Sequence, residues 1–170
     1  MKFLKNIAVQ GLGTVGQSLA SAQHEAVDHA IEEAARLMCP TARTAGVDVQ
    51  IDVGLMPLLK IDTAVVRGII VNLVNNAIHA CTPGDRIRVT AHLDGDAVAI
   101  EVADTGDGMS DETLARCTEL FFSTKRSGSG IGLALVVETV RSAGGSVEIN
   151  SALGEGTTVA LRIPTHIEPR

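Results

Sequence analysis

Two stretches of period-two hydrophobicity, each folding back on itself, constrain this chain more than any other feature. In the first, Ile87, Val89, Ala91 and Leu93 alternate with polar residues, Asp94-Gly95 supplies a turn, and Val98, Ile100 and Val102 resume the alternation. In the second, Val147 and Ile149 are answered by Val159, Leu161 and Ile163 across Gly154-Glu155-Gly156. Such alternation buries one face of a strand, and a tight turn makes the paired strands antiparallel. Helical patterns lie around them. Residues 25–38 set Val27, Ala30, Ile31, Ala34, Leu37 and Met38 on one face, and Pro40 is expected just past the end of that helix. Val47, Val49, Ile51 and Val53 alternate as a further strand. Val65, Val66, Ile69, Ile70, Leu73, Val74, Ala77 and Ile78 form a wide apolar stripe, closed by Pro83-Gly84. After a polar, glycine-rich loop from Asp104 to Gly130, with a short helix after Ser110, Leu133, Val136, Val137 and Val140 mark a last helix that stops at Gly144-Gly145. The order helix, strand, helix, hairpin, loop, helix, hairpin implies an α+β two-layer sandwich, with a mixed, mainly antiparallel sheet and helices on one face.

Composition narrows the classes. The 170 residues fit one domain with a short appendage, and 45% hydrophobic residues suffice for a core. With three Phe and no Trp or Tyr, that core is aliphatic. The net charge of −6 and the absence of a basic stripe argue against nucleic-acid binding. Cys39, Cys81 and Cys117 match neither zinc spacing nor a disulfide framework, which suits a reducing cytoplasm. No apolar run approaches a membrane span, and the N-terminus lacks the marks of a signal peptide.

The stretch Ile7–Gly16, IAVQGLGTVG, outlines a dinucleotide-binding turn with Gly11, Gly13 and Gly16. That reading requires a strand-helix-strand unit and an acid about twenty residues beyond the glycines. Here the pattern stays helical up to Met38, and Asp52 comes too late. Leu12, Val15, Leu19 and Ala22 instead follow a helical packing seam. Residues 1–24 are therefore read as an extension, either irregular or the helical end of a dimerisation helix, before a domain over 25–165 and a tail over 166–170.

Four patches carry chemistry. In NLVNNAIHA, residues 72–80, Asn72, Asn76 and His79 share a helix face beside the apolar stripe. Amides there either cap and bridge backbone or offer hard oxygens to Mg²⁺. In ADTGDGM, residues 103–109, Asp104 ends a strand before Gly106, Gly108 and Met109; this describes an ordinary turn, or a carboxylate that accepts from an exocyclic amine such as that of adenine. In FFSTKRSGSGIGLALV, residues 121–136, Lys125 and Arg126 precede Gly128, Ser129, Gly130, Ile131, Gly132 and Leu133, a glycine-rich loop that opens a helix, where N–H groups favour phosphate. GEGTT, residues 154–158, alone is a hairpin turn.

In this order and spacing the patches resemble the ATP-binding catalytic domain of two-component sensor histidine kinases, in the GHKL superfamily. NLVNNA is similar to its N box, DTGDGM to its first glycine box, FFSTK to its F box, GSGIGL to its second glycine box, and SALGEGTTVALRIP to its closing hairpin. The likeness covers roughly residues 25–164, and the short lid is like that of nitrogen-regulation-type kinases. The resemblance implies a Bergerat-type fold, ATP and Mg²⁺ as cofactors, and transfer of the γ-phosphoryl group to a histidine. It implies that Asn76 ligates Mg²⁺ and that Asn72 and His79 line the phosphate site. Asp104 would bind the adenine amino group, with Thr157 helping through a water, and Gly106, Gly108 and Met109 would wall the base. Lys125 or Arg126 would reach the phosphates, while Gly128, Ser129, Gly130, Ile131, Gly132 and Leu133 would form the lid hinge and helix start. Asn72, Asn76 and Lys125 are the implied catalytic residues.

The departures are informative. ATP-hydrolysing relatives carry a water-activating Glu where this chain has Asn72, so transfer to a protein is expected over rapid hydrolysis. His79 replaces a Lys common in these kinases. No H box is visible: His24-Glu25 is the nearest imitation, and His29, His92 and His166 lack its context. The phosphoacceptor domain is therefore expected upstream in cis or in trans, with a response-regulator receiver domain as partner and homodimerisation through upstream helices. The expected location is cytoplasmic, within a parent that a membrane can anchor. Two other readings of the same patches are an anti-sigma-type serine kinase and a non-catalytic ATP-sensing scaffold.

Overall fold

The computed structural model of the chain describes residues 27–56, 59, 61–124 and 128–165. The calls on residues 1–24, on the tail and on Lys125 and Arg126 lie outside the described residues. Helix α1 covers 27–44. It is followed by strand β1 (Asp48–Val53), helix α2 (Thr63–Ala80), strands β2 (Arg86–Asp94) and β3 (Ala97–Asp104), and the short helix α3 (Asp111–Arg116). Helix α4 (Gly132–Ser142) and strands β4 (Ser146–Ala152) and β5 (Gly156–Pro164) complete the domain.

The five strands lie in the order β1-β2-β3-β5-β4. Only β1 and β2 run parallel; the other three pairings are antiparallel. The parallel pair follows from the chain between them, since α2 crosses over and returns the strand in the same direction. Two rows of side chains cross the sheet in register: Ile51, Val89, Val102, Val159 and Ile149, and beside them Val53, Ala91, Ile100, Leu161 and Val147. On these rows Val89, Ile100 and Leu161 are at most 2% exposed. They pack with Val66, Ile70 and Val74 of α2, Ile31 and Ala34 of α1, and Val136 and Val140 of α4 in one core. The opposite face carries Arg88, Thr90, Glu101 and Glu148. The expected sandwich, a mixed and mainly antiparallel sheet with its helices packed against one face, is what forms.

Helix α2 is the spine of the helical layer. Asp62 caps it, accepting from the Ala64 N–H at 2.7 Å. Every member of its predicted stripe is buried except Val65, which is 39% exposed at the edge of the contact. One boundary differs from expectation: α1 does not end before Pro40 but passes through it to residue 44. Proline removes one N–H and crowds the preceding turn. Here the last turn is held instead by burial of Ala42 and by Val47, whose N–H donates to the Ala42 carbonyl at 2.9 Å. The Thr44 hydroxyl also donates to the Pro40 carbonyl, at 3.0 Å. Tertiary packing outweighs the local preference.

Ile70 has no exposed surface, so Ile70→Ala is expected to lower unfolding free energy by about 2–5 kcal/mol in urea titration. Val65→Ala, on the same helix, is expected to change it by less than about 1 kcal/mol.

Candidate functional site

A third row crosses the same face of the sheet beside the two apolar ones. It reads Val49, Ile87, Asp104, Thr157 and Ser151 in register. It begins apolar and ends polar, where the sheet runs out from beneath the helices. Asp104 therefore occupies a position that the alternation of β3 reserves for a core residue. Burial pushes its carboxyl pKa upward, opposed by hydrogen bonds from the Gly106 and Thr157 N–H groups. Both donate to Oδ1, at 3.0 and 3.2 Å. Oδ2 has no hydrogen-bond partner among the described residues, and Asp104 lines a cleft of about 350 Å³.

Helix α2 supplies a second wall of that cleft. Asn72, Asn76 and His79 all line it, as their spacing predicts. The Asn75 carbonyl lies 2.6 Å from Nδ1 of His79. A carbonyl can only accept, so Nδ1 carries the proton and Nε2 is the nitrogen left over. Helix α4 starts beside this wall: a Cβ at Gly132 would come within 2.7 Å of Asn72 Oδ1. Its N-cap, Ile131, offers no side-chain cap, and the first intrahelical bond is donated by Leu135 to Ile131. The N–H groups of Gly132, Leu133 and Ala134 thus have no carbonyl within the helix, which makes this end suited to an anion.

The first glycine box holds the sheet against the C-terminus of α2. Gly106 packs on the Ala80 carbonyl, which accepts from the Asp107 N–H at 2.8 Å. Gly108 has φ +65 and lies so close to the Ala152 carbonyl that a Cβ would overlap it. Neither glycine lines the cleft; both bring the backbone close behind it, and Met109 lines it directly. Across the cleft, Phe121 holds φ +67, a left-handed conformation that costs a non-glycine residue about 1 kcal/mol or more. It persists because the Phe121 N–H donates to the Gly130 carbonyl at 2.9 Å, drawing the two ends of the lid together. Phe122 turns inward to line the cleft, and the Arg116 guanidinium sits 4.3 Å from its ring centroid.

Of the expected site residues, the cleft brings together Asn72, Asn76, His79, Asp104, Met109, Gly128, Ser129, Gly130, Gly132, Leu133 and Thr157. Ile131 points elsewhere and is 39% exposed. Thr113, Cys117, Ser123 and Thr124 also line the cleft and were not anticipated. Thr113 and Cys117 sit on and just after α3, which no spacing rule ties to α2 or β3. Burial pushes the Cys117 thiol pKa up, so it presents a neutral thiol. Ser151 was missed too, although a signal existed: it continues the alternation of Val147 and Ile149 with a hydroxyl. Among the described residues no group of three or more His, Cys, Asp or Glu could cage a metal ion. The oxygens that α2 offers are amides.

This geometry agrees with three comparisons. The profile of the family described as histidine kinase-, DNA gyrase B-, and HSP90-like ATPase matches residues 61–167. The histidine protein kinase DivJ of Caulobacter vibrioides is 35% identical over 149 residues, which are 82% of this chain and 24% of that protein. The chain thus spans about a quarter of that relative's length. Full-length ShkA, solved in complex with AMPPNP, superposes with a TM-score of 0.72 at 30% identity, over 85% of this chain and 31% of that one. The nucleotide-free catalytic domain of histidine kinase ThkA gives the same TM-score of 0.72 at 23% identity, covering 82% of this chain and 92% of that one, a likeness of fold. The chain belongs to the histidine kinase-, DNA gyrase B-, and HSP90-like ATPase family.

Proposed function

We propose that this domain binds Mg-ATP in the cleft and transfers its γ-phosphoryl group to a histidine on a separate or upstream phosphoacceptor domain. One observation carries the reading: a half-buried carboxylate with an oxygen to spare lines the same cleft as two helix amides and an uncapped helix N-terminus. The volume is within the range of small-ligand sites. In this reading Asp104 Oδ2 accepts from the adenine amino group, Thr157 assists, and Met109 walls the base, while Gly106 and Gly108 hold the backbone behind the cleft. The triphosphate runs toward Asn72, His79 and the α4 N-terminus, whose N–H groups donate to its oxygens. Lys125 and Arg126 would add cationic charge from the lid. The bound AMPPNP of ShkA, a structural relative, supports a nucleotide here.

An Asn-lined site fits Mg²⁺, which retains waters and draws ligands from substrate phosphates rather than from a protein cage. Asn76 would hold the ion, which when bound supplies charge neutralisation at the transferring group. The Asn72 carboxamide is neutral and has no basic lone pair, so it cannot activate water as a carboxylate at that position would. The acceptor imidazole, neutral and nucleophilic, forms the new N–P bond as the bond to the bridging oxygen breaks and ADP departs. The domain's contribution is positioning and exclusion of water beneath the lid. A response-regulator receiver domain would take the phosphoryl group onward. Helices α1, α2 and α4 are not long and apolar enough to cross a membrane, and a cytoplasmic domain has access to ATP.

Calorimetric titration tests the site directly. ATP should bind in a magnesium-dependent manner; Asp104→Asn should weaken it at least about tenfold, and Asn76→Ala should remove most of the magnesium dependence. Silence toward ATP in a folded sample would end the reading.

A pH series gives a second check. Oδ1 already accepts from two N–H groups, so a proton on the carboxyl would sit on Oδ2 and turn it from acceptor to donor, and burial raises the pKa of that step. Affinity should therefore fall on acidification through a value above the ordinary aspartate pKa of about 3.9. The pH dependence that remains in Asp104→Asn reports ATP's own titration, and the difference between the two chains isolates the carboxyl. Mixing the domain with a cognate phosphoacceptor domain and labelled ATP should yield acid-labile, base-stable phosphate, as expected for phosphohistidine. Acid-stable label would favour the serine-kinase alternative, and no label a nucleotide-sensing scaffold.

A further inference from the structure

We propose that Ser151 is a positioning residue that fixes the direction of the Thr157 hydroxyl and thereby restricts the cleft to a 6-amino purine. The inference rests on the nucleotide reading above and goes beyond it by assigning a role at the edge strand β4.

Three contacts meet at the Ser151 oxygen. The Met109 N–H donates to it at 2.8 Å. The Gly156 carbonyl lies 2.8 Å away. The Thr157 Oγ1 lies 2.9 Å away, and distance alone leaves its direction open. The inventory of protons closes it. A serine hydroxyl has one proton and two lone pairs. A carbonyl can only accept, so the Ser151 proton goes to Gly156. One lone pair is taken by Met109 N–H. The remaining lone pair faces Thr157, whose hydroxyl must then donate to Ser151. With its only proton committed away from the cleft, Thr157 Oγ1 offers lone pairs alone.

Asp104 pairs directly with Thr157 in the sheet register, and both line the cleft. Oδ2 of the ionised carboxylate is likewise acceptor-only. The end of the cleft therefore presents two acceptors and no donor from these side chains. An exocyclic –NH₂ matches that polarity. A 6-oxo group, an acceptor itself, does not, and burial there leaves unpaired polar atoms. Asp104 supplies part of this selectivity on its own. Ser151 supplies the rest by preventing the Thr157 hydroxyl from turning to donate.

The probes are ATP and ITP, which differ at the 6-position and in the N1 proton that accompanies it. Their dissociation constants are measured by calorimetry on the full chain, with circular dichroism confirming the fold. In Ser151→Ala the preference for ATP over ITP should fall about five- to tenfold. Ser151→Thr, which keeps the hydroxyl, should restore it. A merely structural Ser151 would weaken both nucleotides equally and leave the ratio unchanged, which overturns the proposal. Thr157→Val keeps the Ser151 bonds to Met109 and Gly156, so it tests the wiring even where Ser151→Ala does not fold. It too should lower the ratio, and adding Ser151→Ala to it should cause no further fall. An unchanged ratio in Thr157→Val overturns the proposal. If the unaltered chain binds neither nucleotide, the site itself falls and this inference with it; if it binds ATP and ITP equally, only the inference falls.

Discussion

The register of the five-stranded sheet is the constraint on which the rest of the domain depends. Because side chains alternate with a period of two, a slip by one residue would turn every core residue outward. The rows through Val89, Val102 and Val159, and through Ala91, Ile100 and Leu161, are coherent only in the observed pairing. The same pairing then places Asp104 beside Thr157 and Thr157 beside Ser151. The polar end of the site is thus a continuation of the core face, and its geometry is set by aliphatic packing a few ångströms away. This arrangement explains how a carboxylate comes to be half-buried. It stands where a core residue would, at the point where the helices no longer cover the sheet.

Helix α2 links the two halves of the site. One face seals the sheet with Val66, Ile70 and Val74, while Asn72, Asn76 and His79 face the cleft. Any displacement of α2 on the sheet would move the amides relative to Asp104. The glycine box resists such displacement, since Asp107 bonds to the Ala80 carbonyl at the end of the helix. The other border of the cleft is under tension, with Phe121 held in a left-handed conformation by its bond to Gly130. Tertiary contact imposes that conformation, at a position where local preference alone would not hold it.

Electrostatics follow the same division of labour. The acidic end of the cleft is made from one carboxylate tempered by two backbone N–H groups. The opposite end presents, among the described residues, the neutral amides of Asn72 and Asn76 and the N-terminus of α4. A net charge of −6 gives the domain no general attraction for polyanions, so an anionic ligand must be held by local donors.

By itself the sequence determined the element order, the two hairpins, the apolar stripe of α2 and the cluster of Asn72, Asn76, His79 and Asp104, because periodicity and turn chemistry act over a few residues. Its four boxes, taken together, were enough to indicate the family. Local rules failed where distant parts of the chain meet. Pro40 reads as a helix end, yet burial of Ala42 carries α1 through it. Ile131 sits amid the second glycine box but faces away. Thr113 and Cys117 enter the cleft only because α3 is folded over it. Ser151 looks like an ordinary strand residue until β4 pairs with β5 and sets its hydroxyl between Met109, Gly156 and Thr157. Which groups are neighbours, and so which protons are committed and which lone pairs remain, is a property of packing between remote segments. Only the tertiary structure could decide it.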